Sequence, residues 1–261
     1  MARLIDFKNK FHEIKPTLTF SNTKICLENR RSITHGLQSG IYRNFKNQYS
    51  NRTSDNSKLS ISDGPLGAVM ALNRTDALNE TENDDIKTWV QKNYLNSQNV
   101  LKRPETPLGL FNGLCGTCGV LFDLGYKEEA LNLLRNIDVD TILNEDISLY
   151  SGLSGIGVAF LSFYSITHEK CFLEMAFNVA NKISKSFDKM FVTFESGLLY
   201  GVAGVVVFFD QLASVTKEKS YQSIAIDLMN NILTNGLVKD KENLFLSVII
   251  SRRILIVVVL E

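Results

Sequence analysis

The sequence predicts an all-α fold of helix pairs with Gly-x-x-Gly repeats: an α/α toroid (barrel), with a right-handed α-solenoid of stacked pairs as the alternative. Three observations lead there. A pair of glycines three residues apart recurs four times, at intervals of 49, 39 and 49 residues, and periods of this size mark repeated supersecondary units. Each pair opens a stretch that is apolar nearly all round, as a helix buried on most sides must be. Between these stretches lie amphipathic segments whose apolar residues fall three and four apart. The chain also carries only four prolines, the last being Pro107, so nothing downstream interrupts a helix.

Residues 1–62 read as a basic, polar lead-in or linker. Periodicity is weak there, and 44–62 is almost entirely polar. Helical repeats are expected over 63–243. Their glycine pairs are Gly64 and Gly67, Gly113 and Gly116, Gly152 and Gly155, and Gly201 and Gly204. The apolar stretches that follow are Ala68–Leu72, Val120–Leu124, Val158–Tyr164 and Val205–Leu212. The amphipathic partners are expected at 84–95, 127–137, 171–187 and 221–233. Ile86, Trp89, Val90 and Tyr94 share a face in the first, and Ala130, Leu131, Leu134 and Ile137 in the second. Phe172, Met175, Ala176, Val179, Ala180 and Ile183 do so in the third, and Ile224, Ala225, Leu228, Met229 and Ile232 in the fourth. Residues 244–261 form an atypical apolar tail. It has no capping glycine or helical polar face, and its Pro-free, β-favouring composition makes it an aggregation hazard.

Charge and composition narrow the function. The 28 basic and 28 acidic side chains cancel, which argues against a dedicated nucleic-acid binder, because phosphate neutralisation needs a basic surplus. The balance hides an asymmetry: residues 1–63 hold 11 Lys/Arg against 5 Asp/Glu, and the remainder holds 17 against 23. The N-terminus has no continuous apolar run of the kind a secretory signal needs. No apolar stretch approaches the ~20 residues of a membrane span. Four cysteines are not a disulfide framework, and the expected compartment is the cytosol.

Few residues can carry chemistry. Glycines at helix starts read as structural, giving unusual backbone angles and close packing. A phosphate loop is excluded, because no G-x-x-x-x-G-K-[ST] and no βαβ context is present. Cys115-Gly116-Thr117-Cys118 has the C-x-x-C spacing of zinc or redox pairs. No second such pair accompanies it, and packing as small apolar residues is its expected role. Cys26 and Cys171 are isolated thiols. His12 and His35 fall in the lead-in, and His168 in a turn between helices.

The segments Ile147–Gly157, Gly197–Val205, Asp63–Val69 and Leu108–Gly116 together resemble the repeats of the lanthionine synthetase C-like (LanC-like) family. Their order resembles the cyclase region of class III and IV lanthipeptide synthetases, which fuse a kinase to a cyclase. The resemblance spans roughly residues 60–240. It implies an α/α toroid, partial here with about four of the family's seven helix pairs, and peptide modification, in which Cys thiols attack dehydrated Ser or Thr residues of a precursor peptide to close thioether rings. It also implies a zinc ion, held by two Cys and one His, that activates the thiol. The chain departs from that pattern. It has no Cys-His dipeptide and no Cys or His after Cys171, so metal ligands are expected to be missing and the chain to hold no cofactor of its own. The family's acidic residue before one glycine pair falls here on Ser148, which leaves Asp146, two residues earlier, as the catalytic candidate. No kinase motif set appears.

The expected function is therefore a fragment of a cyclase region, truncated before the zinc-binding repeats and without catalysis alone. Its expected partners are a precursor peptide or the missing remainder of the synthetase. The alternative is a non-catalytic helical module that binds a peptide or partner. An α/α-barrel carbohydrate enzyme fits less well: it needs paired carboxylates and aromatic platforms, whereas the chain has one Trp, Trp89, and no acidic pair at the apolar helix starts.

Overall fold

A computed structural model describes residues 40, 42, 43, 45, 59–74, 78–96, 101, 106–142, 146–185 and 196–239, with side chains through 234. It also describes the backbone of 244–250 and 254–260. Among the described residues, eight α-helices follow one another between Pro65 and Lys239. These are α1 (Pro65–Arg74), α2 (Glu80–Val90), α3 (Leu114–Asp123), α4 (Lys127–Arg135), α5 (Leu153–Thr167), α6 (Lys170–Ser184), α7 (Val202–Thr216) and α8 (Lys219–Lys239). Beyond them the tail forms β1 (Leu244–Ile250) and β2 (Ile254–Leu260), paired antiparallel with Leu244 opposite Leu260. No described helix is long and apolar enough to cross a membrane.

The odd-numbered helices are the apolar ones, and they pack on one another in chain order, α1 on α3, α3 on α5 and α5 on α7. Each even-numbered helix from α4 onward packs against the apolar helix before it. The buried faces of the even helices are those that the three-and-four spacing picks out. Ile86, Trp89, Val90 and Tyr94 are all buried, as are Ala130, Leu131, Leu134 and Ile137. In α8 the burial is narrower: Ala225 and Leu228 are buried, while Ile224 and Ile232 are half-buried.

The start of α2 lies upstream of the expected 84. Asn79 caps the helix, its side chain accepting from the Glu82 N–H at 2.9 Å while the Glu82 carboxylate accepts from the Asn79 N–H at 3.1 Å. This reciprocal box satisfies two donors that the helix end would otherwise leave unpaired. The first turn faces solvent, so apolar periodicity cannot register it. After Val90 the helix widens into a π-helical turn, Gln91–Leu95, which carries Tyr94 into the core.

Within pairs, the connections close on left-handed residues: Gly125 (φ 96°), His168 (φ 58°) and Lys217 (φ 64°). His168 donates its N–H to the Tyr164 carbonyl and Lys217 to Ala213, each at 2.8 Å, which terminates α5 and α7. Thr167 and Thr216 then accept, through Oγ1, the N–H of Glu169 and Glu218 at 3.3 and 3.2 Å. The same turn is thus written twice, as Thr-His-Glu-Lys and Thr-Lys-Glu-Lys. Packed residues also extend upstream of residue 63. Leu59 is fully buried, and Phe45 sits edge-on to Trp89 at 4.9 Å.

The glycines work through space rather than torsion. Gly113, Gly152 and Gly201 cap α3, α5 and α7 with φ of −149°, −100° and −123°, angles open to any residue. The expectation of backbone angles barred to other residues is therefore corrected at these positions. What excludes a side chain is crowding: at the second glycine of each pair, a Cβ would strike the carbonyl oxygen six residues earlier. That oxygen belongs to Ile61 for Gly67, Leu110 for Gly116, Leu149 for Gly155 and Leu198 for Gly204. Gly119, one turn into α3, has open space around its Cβ position.

Alanine substitutions at these two kinds of glycine have opposite signs. Gly155→Ala drives a methyl into the Leu149 carbonyl and the Leu110 side chain, and lowers the unfolding free energy by ~2–3 kcal/mol. Gly119→Ala raises it by ~0.5–1 kcal/mol, because helical glycine costs chain entropy. Urea unfolding of both variants checks the pair; equal shifts would contradict the crowding argument.

Candidate functional site

The loops that lead into α1, α3, α5 and α7 come together at one end of the helix file, and the expected site residues lie there. Backbone bonds run from loop to loop. Ile61 donates its N–H to the Phe111 carbonyl at 2.7 Å, Phe111 to Tyr150 at 2.9 Å, and Tyr150 to Leu199 at 2.9 Å. Every acceptor in this ladder sits five residues before the second glycine of its repeat. The spacing of the loops is therefore fixed by main chain, which side-chain substitutions do not alter.

The ladder lines up aromatic rings. Phe111 and Tyr150 are stacked at 5.7 Å with planes 5° apart, and Tyr200 continues the row at 5.0 Å from Tyr150. The Tyr150 hydroxyl donates to Asp63 Oδ2 at 3.2 Å and shares a 2.5 Å hydrogen bond with Ser62 Oγ. Tyr200 is 57% exposed. Desolvation against its neighbours, and then the charges of Tyr150 and Asp63, push its phenol up, so near neutral pH it stays a hydrogen-bond donor. The composite surface is an aromatic row edged by a carboxylate.

Asp146 lies at the same end, exposed, in the loop before α5. Its carboxylate is occupied locally: Oδ1 accepts from the Ser148 N–H at 2.8 Å and Oδ2 from the Ser151 hydroxyl at 2.5 Å. Ser148, where the family resemblance places an acid, is buried, and its Oγ accepts from the N–H groups of Ser151 and Gly152, both at 3.2 Å. Asp146 and Ser148 thus shape the turn into α5. The Asp-x-Ser-x-x-Ser spacing is the signal that could have pointed to Ser148 and Ser151 as turn residues.

The starts of α3 and α5 offer no free anion cradle. The N–H groups of Leu114 and Cys115 go to the carbonyls of Pro107 and Leu108 at 2.8 and 3.3 Å. Those of Leu153, Ser154 and Gly155 go to Asp146, Ile147 and Ser148 at 2.9–3.4 Å. Donors that would otherwise meet a phosphate are already used within each loop.

Cys115 and Cys118 are both buried on α3. Burial pushes the Cys115 thiol up to about 12, and burial followed by the neighbouring Cys115 pushes Cys118 well above the ordinary range. Both side chains pack within the apolar core. Cys171, on α6, is raised first by desolvation and then by Glu169, whose Oε2 lies 3.7 Å from its sulfur. Among the described residues no three His, Cys, Asp or Glu side chains converge as a metal site. The described Cys and His residues do not fit the Cys-Cys-His zinc set. The His168 ring lies edge-on to Tyr164 at 6.2 Å, and His12, His35 and Cys26 lie outside the described residues. Trp89 is buried between Phe45 and Tyr94 and is not placed to stack on a sugar.

Three outcomes follow from this geometry. Alkylation near the ordinary thiol pKa of 9.0, read by mass spectrometry, spares Cys115 and Cys118 in the native protein and modifies both in denaturant. The folded pKa of Cys115 lies above its ordinary 9.0, so the unfolded chain gives up that proton first. The stability it contributes is present below pH 9.0 and is lost as pH rises toward about 12. Asp146→Ala costs about 1 kcal/mol of stability through the lost turn bonds, while Asp146→Asn retains most of it. Compared with known proteins, the chain matches no family model and has no significant match among curated proteins.

Proposed function

We propose that the chain is the first four helix pairs of a LanC-like α/α toroid from a lanthipeptide synthetase of class III or IV. It serves peptide modification and does not close thioether rings alone. The observation that carries this reading is the fourfold recurrence of one local geometry: a Gly-x-x-Gly helix start, a carbonyl seated under the second glycine, and a backbone rung to the neighbouring loop. Such a repeat is suited to an arc of apolar helices wrapped by amphipathic ones. In the family, a zinc ion bound to thiolates and imidazole supplies the activated thiol nucleophile. Cys115 and Cys118 are buried in the core and no third ligand joins them among the described residues, so ring closure would need residues from the remainder of the synthetase.

A second reading, a non-catalytic peptide-binding module, is favoured by the row Phe111, Tyr150 and Tyr200 beside Asp63. An exposed ring, Tyr200, continuing two half-buried ones beside a carboxylate is suited to an extended peptide carrying a basic residue. Both readings place the protein in the cytoplasm with a precursor peptide as partner.

The test combines a genetic and a chemical measurement. Sequencing the DNA on both sides of the coding region is expected to reveal kinase motifs upstream, or a Cys and a Cys-His pair downstream. An uninterrupted gene with neither, in several related strains, overturns the synthetase assignment. Purified protein incubated with a peptide containing dehydroalanine and Cys is expected to yield no thioether and to hold substoichiometric zinc. Stoichiometric zinc with thioether product overturns the absence of catalysis.

A further inference from the structure

Asp63 is an exposed carboxylate held in one orientation. Its Oδ2 accepts from the Tyr150 hydroxyl at 3.2 Å, and its N–H donates to Ser60 Oγ at 3.0 Å. Ser62 Oγ joins the two partners, at 3.0 Å from Ser60 Oγ and 2.5 Å from the Tyr150 hydroxyl. Three hydroxyls thus fix Asp63 from both its backbone and its side chain. Its Oδ1 has no hydrogen-bond partner among the described residues. Asp146, the other carboxylate of these loops, has both oxygens engaged. The described loop residues, 59–64, 106–113, 146–152 and 196–201, include no Lys, Arg or His, so none of them supplies Asp63 with a cation.

Tyr200 adds an aromatic face. Its ring lies 5.0 Å from that of Tyr150, with planes tilted by 37°. Tyr150 therefore stands between the two: its ring borders Tyr200, and its hydroxyl borders the carboxylate. Desolvation, and then the charges of Tyr150 and Asp63, raise the Tyr200 phenol, which sets ring and carboxylate within electrostatic reach of each other. A guanidinium uses both surfaces at once, because its plane stacks on a ring while its N–H fork donates to an oxygen. A lysine ammonium is compact and strongly hydrated, and it gains most from rings that strip its water. A ring that is 57% exposed does not enclose it.

We propose that Asp63 and Tyr200 form a subsite for an arginine side chain of a bound peptide, the guanidinium donating to Asp63 Oδ1 while it lies on the Tyr200 ring. Tyr150 and Ser62 are positioning residues that hold the carboxylate for it. The inference rests on the peptide-binding reading above and adds the side chain that is selected.

Four blocked pentapeptides of alanine, with arginine, lysine, citrulline or alanine at the centre, test it by NMR titration of the full chain up to about 10 mM, the range of a few exposed contacts. The arginine peptide is expected to bind about 3- to 10-fold more tightly than the lysine or citrulline peptide, the scale of one exposed cation–π contact with an ion pair. Asp63→Asn keeps an oxygen for the Tyr150 hydroxyl, removes the charge, and is expected to erase the preference over citrulline. Tyr200→Leu is expected to erase the preference over lysine, and Tyr200→Phe to retain it, with far-UV circular dichroism unchanged in each. Glu128→Gln, at a side chain that is 78% exposed on α4, should leave all four affinities unchanged. Peptides that bind without favouring arginine overturn the inference and leave the peptide-binding reading standing. So does an arginine preference that survives both Asp63→Asn and Tyr200→Leu. Failure of all four peptides to bind overturns both.

Discussion

The structure depends on a carbonyl oxygen lodged where a side chain would otherwise begin. At Gly67, Gly116, Gly155 and Gly204 the loop entering each apolar helix folds back far enough for its own main chain to occupy the Cβ position. That close approach sets the direction of the loop. The direction places the next residue in line to exchange hydrogen bonds with the loops on either side, as Phe111 and Tyr150 both do. Each rung contributes only ~0.5–1.5 kcal/mol net, but leaving such a group buried and unpaired costs ~1–3 kcal/mol. The ladder therefore acts more as a constraint on alternatives than as a source of stability, and the apolar helices supply the latter.

A second set of ties operates at the opposite end of the helices. Arg74, in the last turn of α1, reaches Asp123 at the end of α3 through Nε and Nη2 at 2.9 and 2.7 Å. Arg135, at the end of α4, grips both carboxylate oxygens of Glu169 at 2.9 and 2.8 Å, and that pairing lowers the Glu169 pKa. Both pairs are partly exposed and weak as stabilisers. Their planar geometry still orients one repeat against the next, so the first three repeats are joined by guanidinium contacts as well as by main chain. The aromatic row at the loop end thus rests on a frame held from both sides.

Much of the helical body could be read from sequence, because burial is periodic. Ile86, Trp89, Val90 and Tyr94 fall on one face by spacing alone and are buried together. The polar first turn of α2 was hidden from that reading, and Asn79 with Glu82 could be recognised only as a capping pair. The repeat glycines were visible as a pattern, but their cause was not. Torsion and crowding leave the same residue in the sequence, and only coordinates separate a φ of −100° at Gly152 from a blocked Cβ at Gly155. The site was less legible still. The stack of Phe111, Tyr150 and Tyr200 joins residues up to 89 positions apart, and no local spacing announces it. Asp146 was found by position relative to a glycine pair, yet position does not tell whether a carboxylate is free or already bonded to Ser148 and Ser151.

The glycine intervals vary between 39 and 49 residues, whereas the step from seated carbonyl to second glycine is six residues in all four repeats. These two lengths divide the chain into parts with opposite tolerance for inserted or deleted residues. A residue added inside a six-residue step shifts rung and glycine out of phase together, and the error passes to the neighbouring repeat. Residues added between one repeat's helices and the next loop alter only the path of a connection, where lengthening costs little entropy. New sequence is therefore accommodated on the connections, and the loop ends stay in register while the rest of each repeat drifts.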